Sequence, residues 1–234
     1  MPEPLAPLRF DLSRQSRFSF VCRVCGRCCR SKVIMVGPHE VLGMARILGI
    51  STTEFLARHA ENGGTALRAT EDGRCEFVGS EGCRVHSRRP LVCRLYPLGR
   101  KTNPDGGEEF AHYASEPGCQ AGRGENGTVA DFLESQGAAP YFEWSRRYGD
   151  LFRRMVGIME ALGPDSLPAE GVAVPSAGDA GSASRLFSTW QDIDASLAEY
   201  CSRMGISVPA EIEDAIDLHI RALDEWLDGI ANGN

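Results

Sequence analysis

The sequence predicts an α+β fold: a small, loop-rich, cysteine-rich domain with short strands and helices, followed by a helical C-terminal region. Three observations predict it. Eight of the nine cysteines lie between Cys22 and Cys119, and only Cys201 lies beyond them. From Thr65 to Tyr113, short segments alternate with turn sequences such as Asp72-Gly73 and Pro104-Asp105-Gly106-Gly107, the texture of small strands and loops and not of a continuous core sheet. Beyond Tyr141, apolar residues recur at helical spacing.

The elements follow in order. Pro38 to Leu48 reads as a helix, with proline at an early position, apolar Val41, Leu42, Ala45 and Leu48 on one face, and Gly49 as its stop. Ser51-Thr52-Thr53-Glu54 is a capping-box signature that starts a second helix running to about Ala60. The segments Ala66–Thr70, Cys75–Val78, Arg84–His86 and Glu109–Ala114 read as short strands. Thr128 and Asp131 cap a helix through about Ser135. Tyr141 to Leu162 forms a stronger helix with Phe142, Leu151, Phe152, Met155 and Met159 toward the core. Gly163 to Ala183 is rich in Gly, Ala, Ser and Pro and reads as a flexible linker. Two helices follow, near Phe187–Met204 and Ala210–Ile230, the second with Ile212, Ile216, Ile220, Leu223 and Leu227 on one stripe. The expected organisation is a cysteine domain over 18–135, a helix packing on it over 136–162, the linker over 163–183, and a C-terminal helical pair over 184–234.

A chain of 234 residues with 42% hydrophobic and 24% charged content can bury a real core. No apolar run approaches a membrane span, so no membrane association is expected. The stretch Met1–Phe20 mixes Pro, Arg and Asp and has no apolar signal region. The expected location is therefore cytoplasmic, where thiols stay reduced and structural disulfides are uncommon. Nine cysteines then call for another explanation.

Charge is divided along the chain. Residues 1–124 carry 18 Lys+Arg against 13 Asp+Glu, a balance of +5, and residues 125–234 carry 7 against 19, a balance of −12. The basic residues crowd the cysteines: Arg23, Arg27, Arg30, Arg84, Arg88, Arg89 and Arg94. Ionising all eight thiols would turn the +5 into −3. The arginines thus read as local compensation for thiolates, and the charge argument points away from nucleic acid. The acidic C-terminal helices suit contact with a partner protein.

Cys22-x2-Cys25-x2-Cys28-Cys29 is the informative motif. A C-x2-C turn gathers two sulfurs with backbone amides pointing inward, which suits Zn(Cys)4. Three cysteines at successive x2 spacings match instead the loop that wraps a [4Fe–4S] cube, with a fourth ligand from elsewhere. Adjacent Cys28 and Cys29 are expected to point apart and to serve two sites or two irons. Cys75, Cys83, Cys93 and Cys119 supply the second group of ligands. A single buried cysteine is ordinarily a small hydrophobe, which is the reading for Cys201. Eight within about a hundred residues, with this spacing, read as metal ligands. The first part of the chain is thus a cysteine-ligated metal domain, with iron–sulfur expected and zinc the alternative. His86 and His112 lie among the cysteines as lesser candidates. Arg89, held by Pro90, and Arg94, next to Cys93, are expected to face the bound cofactor and support its negative charge.

The stretches Cys22–Cys29 (CRVCGRCC) and Cys75–Pro97 (CEFVGSEGCRVHSRRPLVCRLYP), with Gly118-Cys119, resemble the C-x-x-C-x-x-C-C zinc- or iron-chelating family, also called YkgJ family cysteine cluster proteins. Arg89-Pro90 and Cys93-Arg94-Leu95-Tyr96-Pro97 are specific to that resemblance, which covers about Phe18 to Leu133. It implies metal chelation, often as an iron–sulfur cluster. Some larger relatives are flagellin lysine methylases, an activity that the resemblance does not carry to this shorter chain. The sequence offers no P-loop, no G-x-G-x-x-G opening a helix and no H-E-x-x-H, and Gly122-Arg123-Gly124 reads as a turn. Three roles remain open: an iron–sulfur protein serving redox or a modification reaction, a zinc-stabilised binding module, or a methylase-like iron–sulfur enzyme.

Overall fold

A computed structural model describes residues 8–103, 106–162 and 190–231. The fold is α+β, with short antiparallel strand pairs and a helical C-terminal region. The Gly163–Ala183 segment lies outside the described residues. Contacts divide the chain into two compact units that cut across sequence order. The first comprises Met1–Lys32 and Thr70–Tyr141, and the second Val33–Ala69 and Phe142–Asn234.

In the first unit, β1 (Arg17–Val21) pairs antiparallel with β8 (Gly122–Thr128), joining segments about a hundred residues apart. Alternation along β1 turns Phe18 and Phe20 inward. Phe18 meets Phe132 edge-on at 5.0 Å, and Phe20 meets Tyr96 at 6.0 Å. The Gly122–Gly124 stretch is therefore strand and not the expected turn. A second pair joins β6 (Leu98–Thr102) to β7 (Glu108–His112), and a small hairpin joins β4 (Val78–Gly79) to β5 (Gly82–Cys83). Two helices complete the unit: α3 (Leu91–Leu95), in a stretch expected to hold only strands and loops, and α4 (Val129–Ser135). The α4 start is the expected capping box. Thr128 Oγ1 accepts from Asp131 N at 3.2 Å, and Asp131 Oδ2 accepts from Thr128 N at 2.8 Å.

The second unit is helical apart from one small strand pair, β2 (Ala60–Glu61) with β3 (Ala66–Leu67). Its helices are α1 (Pro38–Leu48), α2 (Thr52–His59), α5 (Ala139–Leu162, from Phe142 onward), α6 (Ile193–Met204) and α7 (Ile212–Ala231). Gly49 closes α1 at φ 68°, as the sequence requires. Ser51 Oγ accepts from Glu54 N at 3.1 Å and starts α2. Thr52 and Thr53 donate to the two oxygens of Asp192 at 2.5 and 2.6 Å, and Asp194 pairs with Arg46 and accepts from Thr52 N. The starts of α2 and α6 are thus tied to each other. Within α5, Leu151, Met155 and Met159 are buried as expected, but Phe152 is 46% exposed and Phe142 only half-buried. The inward stripe is Trp144, Tyr148, Leu151, Met155 and Met159, the i, i+3, i+4 series, and Phe152 falls one position off it.

His39 is buried in this unit, stacked on Tyr148 at 5.7 Å and 13°. Burial pushes it from its ordinary 6.5 down to about 3. The folded chain therefore refuses a proton that the unfolded chain accepts below 6.5. This contribution is complete above that value and is lost as pH falls toward 3. The expected loss is about 2 kcal/mol between neutral pH and pH 5. Urea midpoints measured across that window should fall for the wild type and fall less for His39→Phe; parallel slopes would remove His39 from the acid response.

Candidate metal centre

All eight cysteines from Cys22 to Cys119 belong to the first unit, and Cys201 belongs to the second. None of the nine is in a disulfide. Cys201 is buried, with its thiol on the Ser207 carbonyl at 3.8 Å, as befits a core residue.

Cys22 follows β1, and Cys28 and Cys29 sit in a 3-10 turn at Arg27–Cys29. Backbone bonds splice this loop to the second group. Cys75 N donates to Cys29 O at 2.8 Å, Ser31 N donates to Gly73 O at 2.7 Å, and Arg30 bridges Arg74. The loop also packs against the β4–β5 hairpin at two glycines. Gly26, at φ 70°, leaves room where a Cβ would come within 2.9 Å of Val78 Cγ1, and Gly82, at φ 103°, where a Cβ would come within 2.6 Å of Val24 Cγ1. Gly82→Ala therefore meets both an unfavourable φ and a packed, β-branched neighbour. It is expected to cost about 2 kcal/mol and to loosen metal, read as a lower denaturant midpoint and a lower metal content. A variant as stable as the wild type would show that this approach is not tight in solution.

Cys93 lies in α3, with its N–H on Pro90 O at 2.9 Å. Cys119 is placed by a turn onto Glu116 O at 3.0 Å. Glu116 in turn pairs with Lys32 at 2.7 Å and donates its N–H to Tyr96 Oη at 3.0 Å. Lys32 also lies 4.6 Å over the Tyr96 ring, a packing role for that tyrosine.

The thiols act on one another electrostatically. Cys25 interacts with Cys119 and Cys28, and Cys28 with Cys29. Cys29 feels Cys93 and Cys75, Cys75 feels Cys83, and Cys83 feels Cys22. Adjacent Cys28 and Cys29 do not point apart: their sulfurs are 3.9 Å from each other. Among the described residues, no three His, Cys, Asp or Glu side chains are already arranged to hold one ion.

Backbone amides and burial pull these thiols in opposite directions. Val24 N donates to Cys22 Sγ at 3.4 Å. The N–H groups of Gln120 and Arg27 lower Cys25, while burial outweighs the Phe77 and Val85 N–H groups and raises Cys75 and Cys83. The donor two residues after the cysteine recurs at Val24, Arg27, Phe77 and Val85. Those at Arg27, Phe77 and Val85 favour thiolate at the sulfurs they face. A hydrogen bond from Cys29, aided by the Lys32 charge, brings Cys28 down to about 7, and that same bond together with burial pushes Cys29 up. A soft cation would supply what the buried thiols lack, since a coordinated thiol loses its proton outright. The donor set therefore fits a thiolate-bound metal.

The two arginines are used differently. Arg94 is buried and bonded through all three nitrogens: Nε to Arg89 O at 3.0 Å, Nη1 to Gln136 O at 2.6 Å, and Nη2 to Ser87 O at 2.7 Å and Tyr141 Oη at 2.8 Å. Its guanidinium also lies 4.1 Å from the Tyr141 ring centre. Arg89 donates to His86 O at 2.7 Å and to Gln136 Oε1 at 2.6 Å, and its charge acts on Cys22, Cys93 and Cys83. His86 sits beside Arg89 with Nδ1 at 3.4 Å, and burial lowers its pKa. His112 lines a cleft with Arg17, Phe18, Ser19, Phe20, Arg123 and Glu125, a wall that holds no cysteine. Gln136 and Lys32 were not singled out by sequence. Both are common polar residues whose placement depends on segments distant in the chain.

Among the described residues, no helix is long and apolar enough to cross a membrane. No curated protein and no solved structure matches the chain. Residues 21–120, which span all eight cysteines of the first unit, match the CxxCxxCC family, described as "Putative zinc- or iron-chelating domain". Over that region the chain is similar to the CxxCxxCC family, which supports a metal-binding cysteine cluster.

Proposed function

We propose that the cysteines of the first unit ligate an iron–sulfur cluster, [4Fe–4S] in type, and that the protein serves a redox or modification reaction in the cytoplasm. The observation that carries this reading is the gathering of eight free thiols in one unit, with Cys201 alone in the other. Cys22, Cys25 and Cys28 supply the triply spaced ligands, and Cys29, Cys75, Cys83, Cys93 and Cys119 the remaining sulfurs. The cluster would supply one-electron chemistry. The chain's own part is to shield the sulfurs, donate N–H groups to them and hold Lys32 and Arg89 beside them. The acidic C-terminal helices remain the surface proposed for a partner protein.

Zinc is the second reading, and the Cys28–Cys29 separation favours it. Two sulfurs on one tetrahedral zinc, each about 2.3 Å from the metal, lie about 3.8 Å apart, close to the 3.9 Å found. Anaerobic purification followed by metal and acid-labile sulfide analysis decides between them. Iron and sulfide in equal amounts are expected; zinc without sulfide would overturn the iron–sulfur reading and leave a zinc-stabilised binding module. Tight binding of S-adenosylmethionine by the iron-loaded chain would add the methylase-like activity.

A further inference from the structure

Gln136 lies at the C-terminal cap of α4, beyond residues 21–120 that match the family. It uses both of its oxygens on the two arginines. Its backbone carbonyl accepts from Arg94 Nη1 at 2.6 Å, and its side-chain Oε1 accepts from Arg89 Nη2 at 2.6 Å. Arg94 in turn grips the Arg89 carbonyl at 3.0 Å, and Pro90 restricts the Arg89 backbone. The Arg89 side chain is thus fixed at its root by Arg94 and at its tip by Gln136 and the His86 carbonyl. Among the described residues no carboxylate shares these contacts, so the positive charge is held in place and not neutralised there.

We infer that Gln136 is a positioning residue that holds the Arg89 guanidinium toward the Cys22, Cys83 and Cys93 sulfurs and thereby sets how firmly the first unit keeps its metal. This rests on the reading of the unit as a metal centre. The cause is electrostatic. Thiolates gathered around a cation carry surplus negative charge, and a fixed guanidinium reduces the cost of keeping that charge half-buried. A guanidinium free to swing into solvent does so far less, because water screens it. Groups that orient or support metal ligands from outside the ligand set commonly change metal affinity by about ten- to a hundredfold.

The test uses the full chain loaded with zinc(II) alone and follows release of zinc to a chromogenic chelator. Gln136→Leu should release zinc about tenfold faster, while its thermal midpoint stays near wild type, because Arg94 bonds the backbone carbonyl that every variant keeps. Gln136→Glu retains an acceptor in the same place but cancels the charge of Arg89, and should also release faster; a merely structural role predicts wild-type release for it. Arg89→Gln should match Gln136→Leu, and the double variant should be no faster than either, because the two act as one unit. Wild-type release from Gln136→Leu or Gln136→Glu, or additive effects in the double variant, would overturn the inference. A wild-type chain that takes up no metal would overturn the metal reading itself, an outcome separate from the others.

Discussion

Cys25→Ser is expected to yield a chain with little metal and an unfolded first unit, whereas Cys201→Ser keeps both. Cys25 receives two backbone N–H groups and links the first loop to Cys119. It therefore extends the link between two segments beyond the Val21–Gly122 end of the β1–β8 pair. The first unit is loop-rich, and structural zinc in small cysteine domains supplies about 10–16 kcal/mol of folding free energy. Net stabilities are only about 5–15 kcal/mol, so losing a ligand can remove most of what holds the unit together. Cys201 is a buried thiol on a helix of the second unit, and serine there costs only a local polar burial of about 1–3 kcal/mol. Elemental analysis and near-ultraviolet circular dichroism of both variants check this. Equal metal loss in the two would undo the assignment of ligands.

Arg94→Leu is the second large effect, and its cause is different. Three backbone carbonyls (Ser87, Arg89 and Gln136) and the Tyr141 hydroxyl converge on this guanidinium. Leucine would leave those acceptors, part-buried or buried, without their donor. Each orphaned buried group costs about 1–3 kcal/mol, partly relieved by water, so the total expected is about 3–5 kcal/mol, the range for breaking a buried charged network. Tyr141→Phe removes one partner and should cost about 1 kcal/mol. Urea denaturation with metal content measured in parallel checks the pair. An Arg94→Leu midpoint equal to that of Tyr141→Phe would show that the carbonyls find other donors.

Much of this was legible in the sequence where the signal is local. The Pro38 start and Gly49 stop of α1, the Ser51 cap of α2 and the Thr128–Asp131 box of α4 are each written within a few residues. The grouping of eight cysteines apart from Cys201 was equally plain, because spacing alone marks it. The β1–β8 pair was not legible. The GRGENGT segment has no apolar alternation, and it is a strand because Arg17–Val21 lies beside it. Leu91–Leu95 was hidden among turns that suggested only strands and loops. The role of Gln136 depends on two arginines more than forty residues earlier, which no periodicity could announce. For Cys28 and Cys29 the local rule misled: the 3-10 turn at Arg27–Cys29 brings their sulfurs together.

The division of the chain into units has a consequence during synthesis. By Cys119 the ribosome has made every sulfur of the first unit. Helices α1 and α2, which come earlier, belong to the second unit and pack with α6, whose first residue is Ile193. At about 5–20 residues per second, the wait between the end of α2 and the start of α6 is on the order of ten seconds. Val41, Leu42, Met44 and Phe55, all fully buried in the finished protein, stand uncovered by α6 for that interval. The nascent chain thus has all eight cysteines of the first unit while the core of the second is still unfinished, and chaperone demand should fall on the segment between the two cysteine groups.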